Sequence, residues 1–221
     1  MVDILLIFKD NSIQLILAGI ALLLSLVLSL SFHEYAHALV AYKNGDDTAK
    51  MMGRLTTNPL KHIDPIGLIC CMLFGFGWAK PVPINPLKFR NYKKGMAQVS
   101  VAGVIVNFCF AFLFSGLYIC LVTYTNYMAS NILFFLVIFS EFMFSLNICL
   151  FVFNLIPIYP LDGYNFLSAF TSYDNAYMQF MRRYGQYVLL VILLCFSWII
   201  SDIIGAVTFP MVKFWQLIFK G

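Results

Sequence analysis

The chain has 221 residues, of which 62% are hydrophobic and only 11% are charged, and its formal net charge is +4. A soluble domain of this length cannot bury so much apolar surface, so the composition indicates an integral membrane protein in contact with the lipid bilayer. The basic residues lie in short connections between apolar runs, which is typical of a membrane orientation signal and argues against nucleic-acid binding.

Four apolar runs, at residues 13–42, 97–124, 131–156 and 187–209, are long enough to cross a bilayer as helices. The shorter run 65–78 contains three glycines and is expected to dip into the membrane as a re-entrant segment. Residues 211–219 are expected to lie at the membrane interface. With no internal repeat and no polar appendage, residues 1–221 are predicted to form one all-α polytopic membrane domain, with a core at about 13–163 and one or two C-terminal helices at about 185–219.

The connections between these runs predict the orientation of the chain. Lysine and arginine concentrate in residues 43–61, 80–94 and 182–183, whereas residues 125–130 have neither. If residues 65–78 only dip, all three basic regions lie on one side of the membrane, which the positive-inside rule makes cytoplasmic. The Pro-rich stretches 57–59 and 80–86 exclude helix interiors, so a short β-hairpin at the cytoplasmic face is plausible there.

The first apolar run ends in an HExxH motif, His33-Glu34-Tyr35-Ala36-His37. The i and i+4 spacing puts both imidazoles on one helix face, where they can share a metal ion. The adjacent carboxylate of Glu34 is suited to taking a proton from water at that metal. An incidental match is the alternative, but ionisable side chains in an apolar run are costly unless they serve a function.

A third metal ligand is expected, because a catalytic zinc ion usually has three protein ligands and one open position. Asp162 is the candidate, although an Asp-Gly pair after a proline is more commonly a turn. Runs 13–42 and 131–156 are predicted to cross the membrane in the same direction. Asp162 should therefore arrive on the side that carries His33 and His37.

These motifs together resemble the site-2 protease family of intramembrane zinc metalloproteases, peptidase family M50. The similarity runs from about residue 31 to residue 163. Besides HExxH it rests on Gly77-Trp78-Ala79-Lys80-Pro81-Val82-Pro83, Ala102-Gly103-Val104-Ile105-Val106-Asn107 and Asn154…Pro157…Leu161-Asp162-Gly163. Val104 stands where the family usually has proline, a departure expected to affect local helix shape rather than chemistry.

The resemblance implies a zinc metalloendopeptidase with a three-helix catalytic core that cuts transmembrane protein or peptide substrates in or near their membrane-spanning segments. One Zn²⁺ per chain would be held by His33, His37 and Asp162, with Glu34 as the general base. Asn154 is a candidate for binding the substrate or the oxyanion, and helix capping is an equally good interpretation. Asn107 is similarly balanced between supporting the site and joining helices.

Two other functions compete with this hypothesis. A zinc transporter or zinc-binding membrane protein would also use intramembrane His and Asp, but only three histidines occur, two of them clustered at one end. A catalytically inactive relative would bind zinc without needing Glu34. The small size and the lack of a targeting sequence predict a prokaryotic cytoplasmic membrane, with the site near its cytoplasmic face. The sequence carries no signal for an oligomeric state.

Overall fold

The computed structural model describes residues 12–67, 70, 80–172 and 174–220 of the chain. The helices of these residues are α1 (Ser12–Lys43), α2 (Thr48–Met51), α3 (Tyr92–Tyr124), α4 (Asn131–Leu155), α5 (Asp162–Ser168), α6 (Ala176–Cys195) and α7 (Ser197–Lys220). Short 3-10 turns occupy Pro59–Lys61, Pro86–Lys88 and Tyr127–Ala129. No β-strand occurs among the described residues, so the predicted all-α class is confirmed.

Four of the helices are long and apolar enough to cross a bilayer. The candidate spans are Ser12–Lys43, Tyr92–Tyr124, Asn131–Leu155 and Ser197–Phe219. The protein is therefore an integral polytopic membrane protein. The first three spans match the predicted runs, apart from their ends.

The ends of the spans follow from local capping rather than from hydrophobicity. Helix α3 begins five residues before the predicted run at residue 97, because the Asn91 side chain accepts a hydrogen bond from the Lys94 amide and caps a polar first turn. Helix α4 ends at Leu155, just before Pro157, whose ring disfavours helical conformation in the preceding residue.

The three helices α1, α3 and α4 pack against one another and form the centre of the bundle. Small residues of α1, Ala18 and Ala21, are fully buried against Phe134 and Ile138 of α4. Small side chains let helix backbones approach closely, which replaces the hydrophobic driving force that is missing in lipid.

The C-terminal part of the fold differs from the prediction. The apolar run 187–209 is divided at Phe196 into α6 and α7, and the fourth candidate span is Ser197–Phe219. Residues 211–219 therefore belong to this span and do not form a separate interfacial helix. The prediction was wrong because no Gly or Pro marks the break in the sequence, so hydrophobicity alone joined the end of one helix to the start of the next.

The connection between α1 and α3 begins and ends at the same end of the bundle, since the Arg90 amide donates a hydrogen bond to the Asn44 carbonyl at 3.0 Å. The predicted hairpin is not formed by the described residues of this connection. Ile63 makes only an isolated β-bridge, and residues 80–85 are extended chain whose prolines lack the amide donors that a strand needs. The predicted dip at 65–78 lies outside the described residues, except for 65–67 and 70.

Candidate active site

Helix α1 presents both histidines of the HExxH motif to the interior of the bundle. His33 and His37 lie one helical turn apart, so their side chains share a face. Both are buried, with 6% and 5% of their surface exposed, and their Nε2 atoms are 3.0 Å apart. Two imidazole nitrogens therefore point at one position within the span Ser12–Lys43.

Asp162 reaches the histidines because the chain turns back after α4. Its Oδ2 atom lies 3.2 Å from the Nε2 atoms of both His33 and His37. The turn requires Gly163, since a Cβ atom there would lie 2.6 Å from the carbonyl oxygen of Ile156. Burial alone would raise the pKa of the Asp162 carboxyl, but the neighbouring imidazoles of His37 and His33 outweigh it and hold that pKa below its usual range.

The three side chains fit a zinc ion. Ligand atoms around tetrahedral zinc lie about 3.3 Å apart when the Zn–N distances are about 2.0–2.1 Å, close to the 3.0 and 3.2 Å found here. Oδ2 of Asp162 is buried and receives no hydrogen bond from the described part of the chain, as expected of an atom that binds a cation. Two imidazoles and one carboxylate are also a donor set of catalytic zinc sites, which keep a fourth position open.

Hydrogen bonds from outside the cluster orient each imidazole. His37 Nδ1 lies 2.7 Å from the Val99 carbonyl oxygen, which can only accept, so Nδ1 carries the proton and the Nε2 lone pair faces the metal position. His33 Nδ1 lies 2.9 Å from the amide nitrogen of Asn107. The amide oxygen of Asn107 is buried without a partner among the described residues. A half-turn of the amide lets this oxygen accept the Nδ1 proton, which frees His33 Nε2 for zinc.

Gly103 allows α3 to contact the histidines directly. A Cβ atom at this position would lie 2.6 Å from Nδ1 of His33 and 2.6 Å from Nε2 of His37. No such contact is sterically tolerated, because non-bonded carbon atoms are best separated by about 3.5–4.0 Å. The glycine of the Ala102-Gly103 pair thus has a direct role in the geometry of the site.

A loop segment, residues 80–86, lies along one side of the cluster. The Glu34 carboxylate accepts a hydrogen bond from the Val82 amide at 2.9 Å. The segment is fixed at its other end by Asp46, a fully buried residue whose Oδ2 accepts from the Asn85 amide at 2.6 Å. Between these bonds the segment faces a cavity of about 380 Å³ that is also lined by the two histidines, Glu34 and Asp162.

The two predicted asparagines lie at different places. Asn107 is fully buried and contacts His33, as described above. Asn154 lines the cavity, while its amide nitrogen donates to the Leu150 carbonyl of its own helix at 3.0 Å. The structure therefore brings Asn107 into contact with His33 and Asn154 to the wall of the cavity beside the two histidines.

Some functional groups could not be found from residue patterns. The Val99 carbonyl and the Val82 amide are backbone groups, and nothing in the side chains signals their hydrogen bonds. His62, the third histidine of the chain, is fully buried with Nε2 2.7 Å from the Thr56 carbonyl oxygen. It is not part of the metal-binding group found among the described residues.

The helix bundle encloses two imidazoles and one carboxylate, and a glutamate lines the adjacent cavity. These features define the class of protein: a membrane metalloprotein with the residues of a hydrolytic zinc site.

Comparison with known proteins agrees with this class. The chain is 38% identical over 202 residues to YwhC of Bacillus subtilis (strain 168), named as a candidate zinc metalloprotease, and the match covers 90% of this chain and 92% of YwhC. It is 29% identical over 176 residues to Rip2 of Mycolicibacterium smegmatis, which has a similar name, over 76% of this chain and 64% of Rip2. No family profile and no solved structure matches the chain. The chain belongs to the zinc metalloprotease family that includes YwhC, and zinc is its cofactor.

Proposed function

We propose that this protein is an intramembrane zinc endopeptidase of the site-2 protease type, which hydrolyses peptide bonds in or near transmembrane segments of membrane proteins. One observation carries the proposal: the metal cluster lies inside the helix bundle, with two of its ligands on a helix that crosses the membrane. A soluble substrate has no reason to reach such a position, whereas a membrane-embedded one approaches it from lipid.

The residues of the cluster fit a hydrolytic mechanism. His33, His37 and Asp162 would hold the zinc, which would supply the Lewis acidity that polarises a carbonyl and activates water. Glu34 takes a proton from the attacking water and passes it to the nitrogen of the leaving amine, so that the C–N bond breaks without a free charge on the amine. Asn154, on the same cavity, is placed to bind the substrate backbone beside the reacting carbonyl.

The substrate must unwind before it is cut, because the hydrogen bonds of a helix shield its peptide groups. The loop segment of residues 80–86 lines the cavity and is fixed at Val82 and Asn85. An extended substrate could lie alongside it and regain some main-chain hydrogen bonds that unwinding removes. Residues 50–60, in the same connection between α1 and α3, do not line this cavity.

The distribution of charge supports a cytoplasmic active site. The C-terminal end of α1, the N-terminal end of α3 and the C-terminal end of α4 meet at the metal cluster. The basic connections 43–61 and 80–94 adjoin these ends, while the uncharged turn 125–130 lies at the opposite ends of α3 and α4. By the positive-inside rule the cluster then lies near the cytoplasmic face of a prokaryotic cytoplasmic membrane.

Zinc content and cleavage, measured together, test the assigned roles. A single-span reporter protein is incubated in liposomes with wild type, Glu34→Gln and Asp162→Asn, and zinc is measured in each protein. We expect cleavage by wild type alone, with zinc retained in Glu34→Gln and reduced in Asp162→Asn. Asp202→Asn is the matched control, since Asp202 is exposed on α7 and should leave both readouts unchanged.

Two results would contradict the proposal. Cleavage by Glu34→Gln at the wild-type rate would exclude the mechanism described above. Zinc-dependent uptake into the liposomes that is unaffected by Glu34→Gln, without cleavage, would instead favour the transporter.

A further inference from the structure

A second cavity of about 310 Å³ also borders Asp162. It shares three lining residues with the first cavity, namely Ser100, Asn154 and Asp162. The remaining lining is apolar apart from Gly163: Val101 and Val104 of α3, Leu155 and Pro157 at the end of α4, and Phe166 and Leu167 of α5. An occupant of this cavity therefore lies within reach of the metal but meets mostly hydrocarbon.

The size of the second cavity restricts what it can hold. The volume is at the lower end of the range for small-molecule sites, about 300–1,000 Å³. A cavity of this size accommodates one large side chain.

The exposure of the lining residues indicates from which side a substrate side chain enters the cavity. Leu155 and Phe166 are 49% and 41% exposed and form the outer rim, on an apolar surface of a membrane protein. Val104 is only 4% exposed and forms the inner wall beside the metal ligand. The cavity thus leads from the apolar exterior towards Asp162.

We propose that this second cavity is a specificity subsite that accepts a large apolar side chain, such as Leu or Phe, from the substrate residue flanking the scissile bond. The inference rests on the proposed peptidase function and adds the class of residue that is preferred. Burying such a side chain favours binding, whereas an acidic one would lose its hydration among apolar residues and beside the Asp162 carboxylate. Val104, which departs from the proline of the related motif, sets the depth of the subsite.

Peptide hydroxamates with Ala, Leu, Phe or Asp beside the zinc-binding group provide a test that does not need catalysis. Their dissociation constants are measured on the zinc-loaded protein by competition with a fluorescent hydroxamate. We expect Leu and Phe to bind at least about tenfold more tightly than Ala, and Asp to bind most weakly, because a single methylene in an apolar pocket is worth about 10-fold or more.

Two substitutions at the inner wall make the test specific. Val104→Leu should lower the Phe-to-Ala affinity ratio about tenfold, and Val104→Ala should shift the preference towards Phe over Leu. This ratio does not depend on the fraction of folded protein. Ile105→Leu and Ile105→Ala are matched controls, because Ile105 is the next residue of α3 and is 55% exposed; they should leave the ratio unchanged.

Each outcome separates the subsite from the peptidase function. Equal affinities for all four hydroxamates, or the same change in the Ile105 controls, would overturn the subsite. Cleavage of reporter proteins without preference for an apolar flanking residue would also overturn it and leave the peptidase function intact. The expected affinities without cleavage of any reporter would support the subsite and refute the peptidase function alone.

Discussion

Replacement of Gly103 by alanine should damage the metal site without removing any of its ligands. The added Cβ atom would lie 2.6 Å from both His33 and His37, about 0.9 Å closer than the optimal separation of non-bonded carbon atoms. Either α3 moves away from α1 or the imidazoles rotate. The first response separates the imidazoles from the Val99 carbonyl and the Asn107 amide, which orient them. The second displaces Nε2 atoms that must stay within about 0.2 Å of their positions for tetrahedral zinc.

The expected loss of zinc affinity can be taken from the known effect of misoriented metal ligands. Losing the groups that orient zinc ligands typically costs 10–100-fold in affinity, which corresponds to about 1.4–2.7 kcal/mol. We expect Gly103→Ala to lose zinc affinity in this range. Its helix content should stay close to that of wild type, because alanine favours helix more than glycine does.

The assay is competition for zinc with a chromophoric chelator in detergent, together with circular dichroism to measure helix content. Gly19→Ala is the matched control, since Gly19 lies in the same span as the histidines and a Cβ atom there meets nothing within 4 Å. It should bind zinc as wild type does. Wild-type zinc affinity in Gly103→Ala would refute the claim that close approach of α3 sets the geometry of the site.

Three further outcomes are expected. Gly163→Ala should lower both zinc affinity and thermal stability, because its Cβ atom would lie 2.6 Å from the Ile156 carbonyl oxygen and displace Asp162. Zinc affinity is measured by the same competition and stability by thermal unfolding. Wild-type zinc affinity in this variant would contradict the geometry of the turn. Asn107→Leu should lower zinc affinity about 10–100-fold. Asn107→Asp should lose much less affinity, because its carboxylate still accepts the Nδ1 proton of His33. Equal loss in both variants would show that Asn107 acts only by packing. Removing zinc with a chelator should abolish cleavage reversibly while circular dichroism stays unchanged, and irreversible loss of helix would show that the metal holds the bundle together.

Much of the bundle and the placement of the ligands could be predicted from the sequence. Spacing within HExxH fixes the two histidines on one helix face, and the number of membrane crossings places Asp162 on their side. Neither argument needs a detailed backbone. The structure brings these three side chains together: the Oδ2 atom of Asp162 lies at a distance of 3.2 Å from the Nε2 atom of each imidazole.

The parts that could not be predicted depend on backbone atoms or on packing between distant segments. The break between α6 and α7 at Phe196 has no Gly or Pro to mark it. Helix α6 packs on α5, whereas α7 packs on α3, where the Trp215 indole donates a hydrogen bond to the Phe112 carbonyl at 3.0 Å. The hydrogen bonds of Val99 and Val82 with His37 and Glu34 are made by main-chain groups, which every residue type carries. Residue identity therefore gives no signal for them.

The polar face of α1 explains how a membrane-spanning helix can hold a catalytic site. Ser25, Ser29, His33 and His37 recur every four residues, and their exposed fractions are 0%, 0%, 6% and 5%. The stripe is joined to α4 one turn from the ligands, where Asn147 donates to Ser29 Oγ at 2.7 Å. Turning α1 by about 100°, the angle between successive residues, would carry this stripe towards lipid, where unpaired polar groups are costly. The rotation of α1 that gives the serine hydroxyls their buried hydrogen-bond partners thus also directs both imidazoles inward. Helix packing and metal binding therefore favour the same orientation of α1.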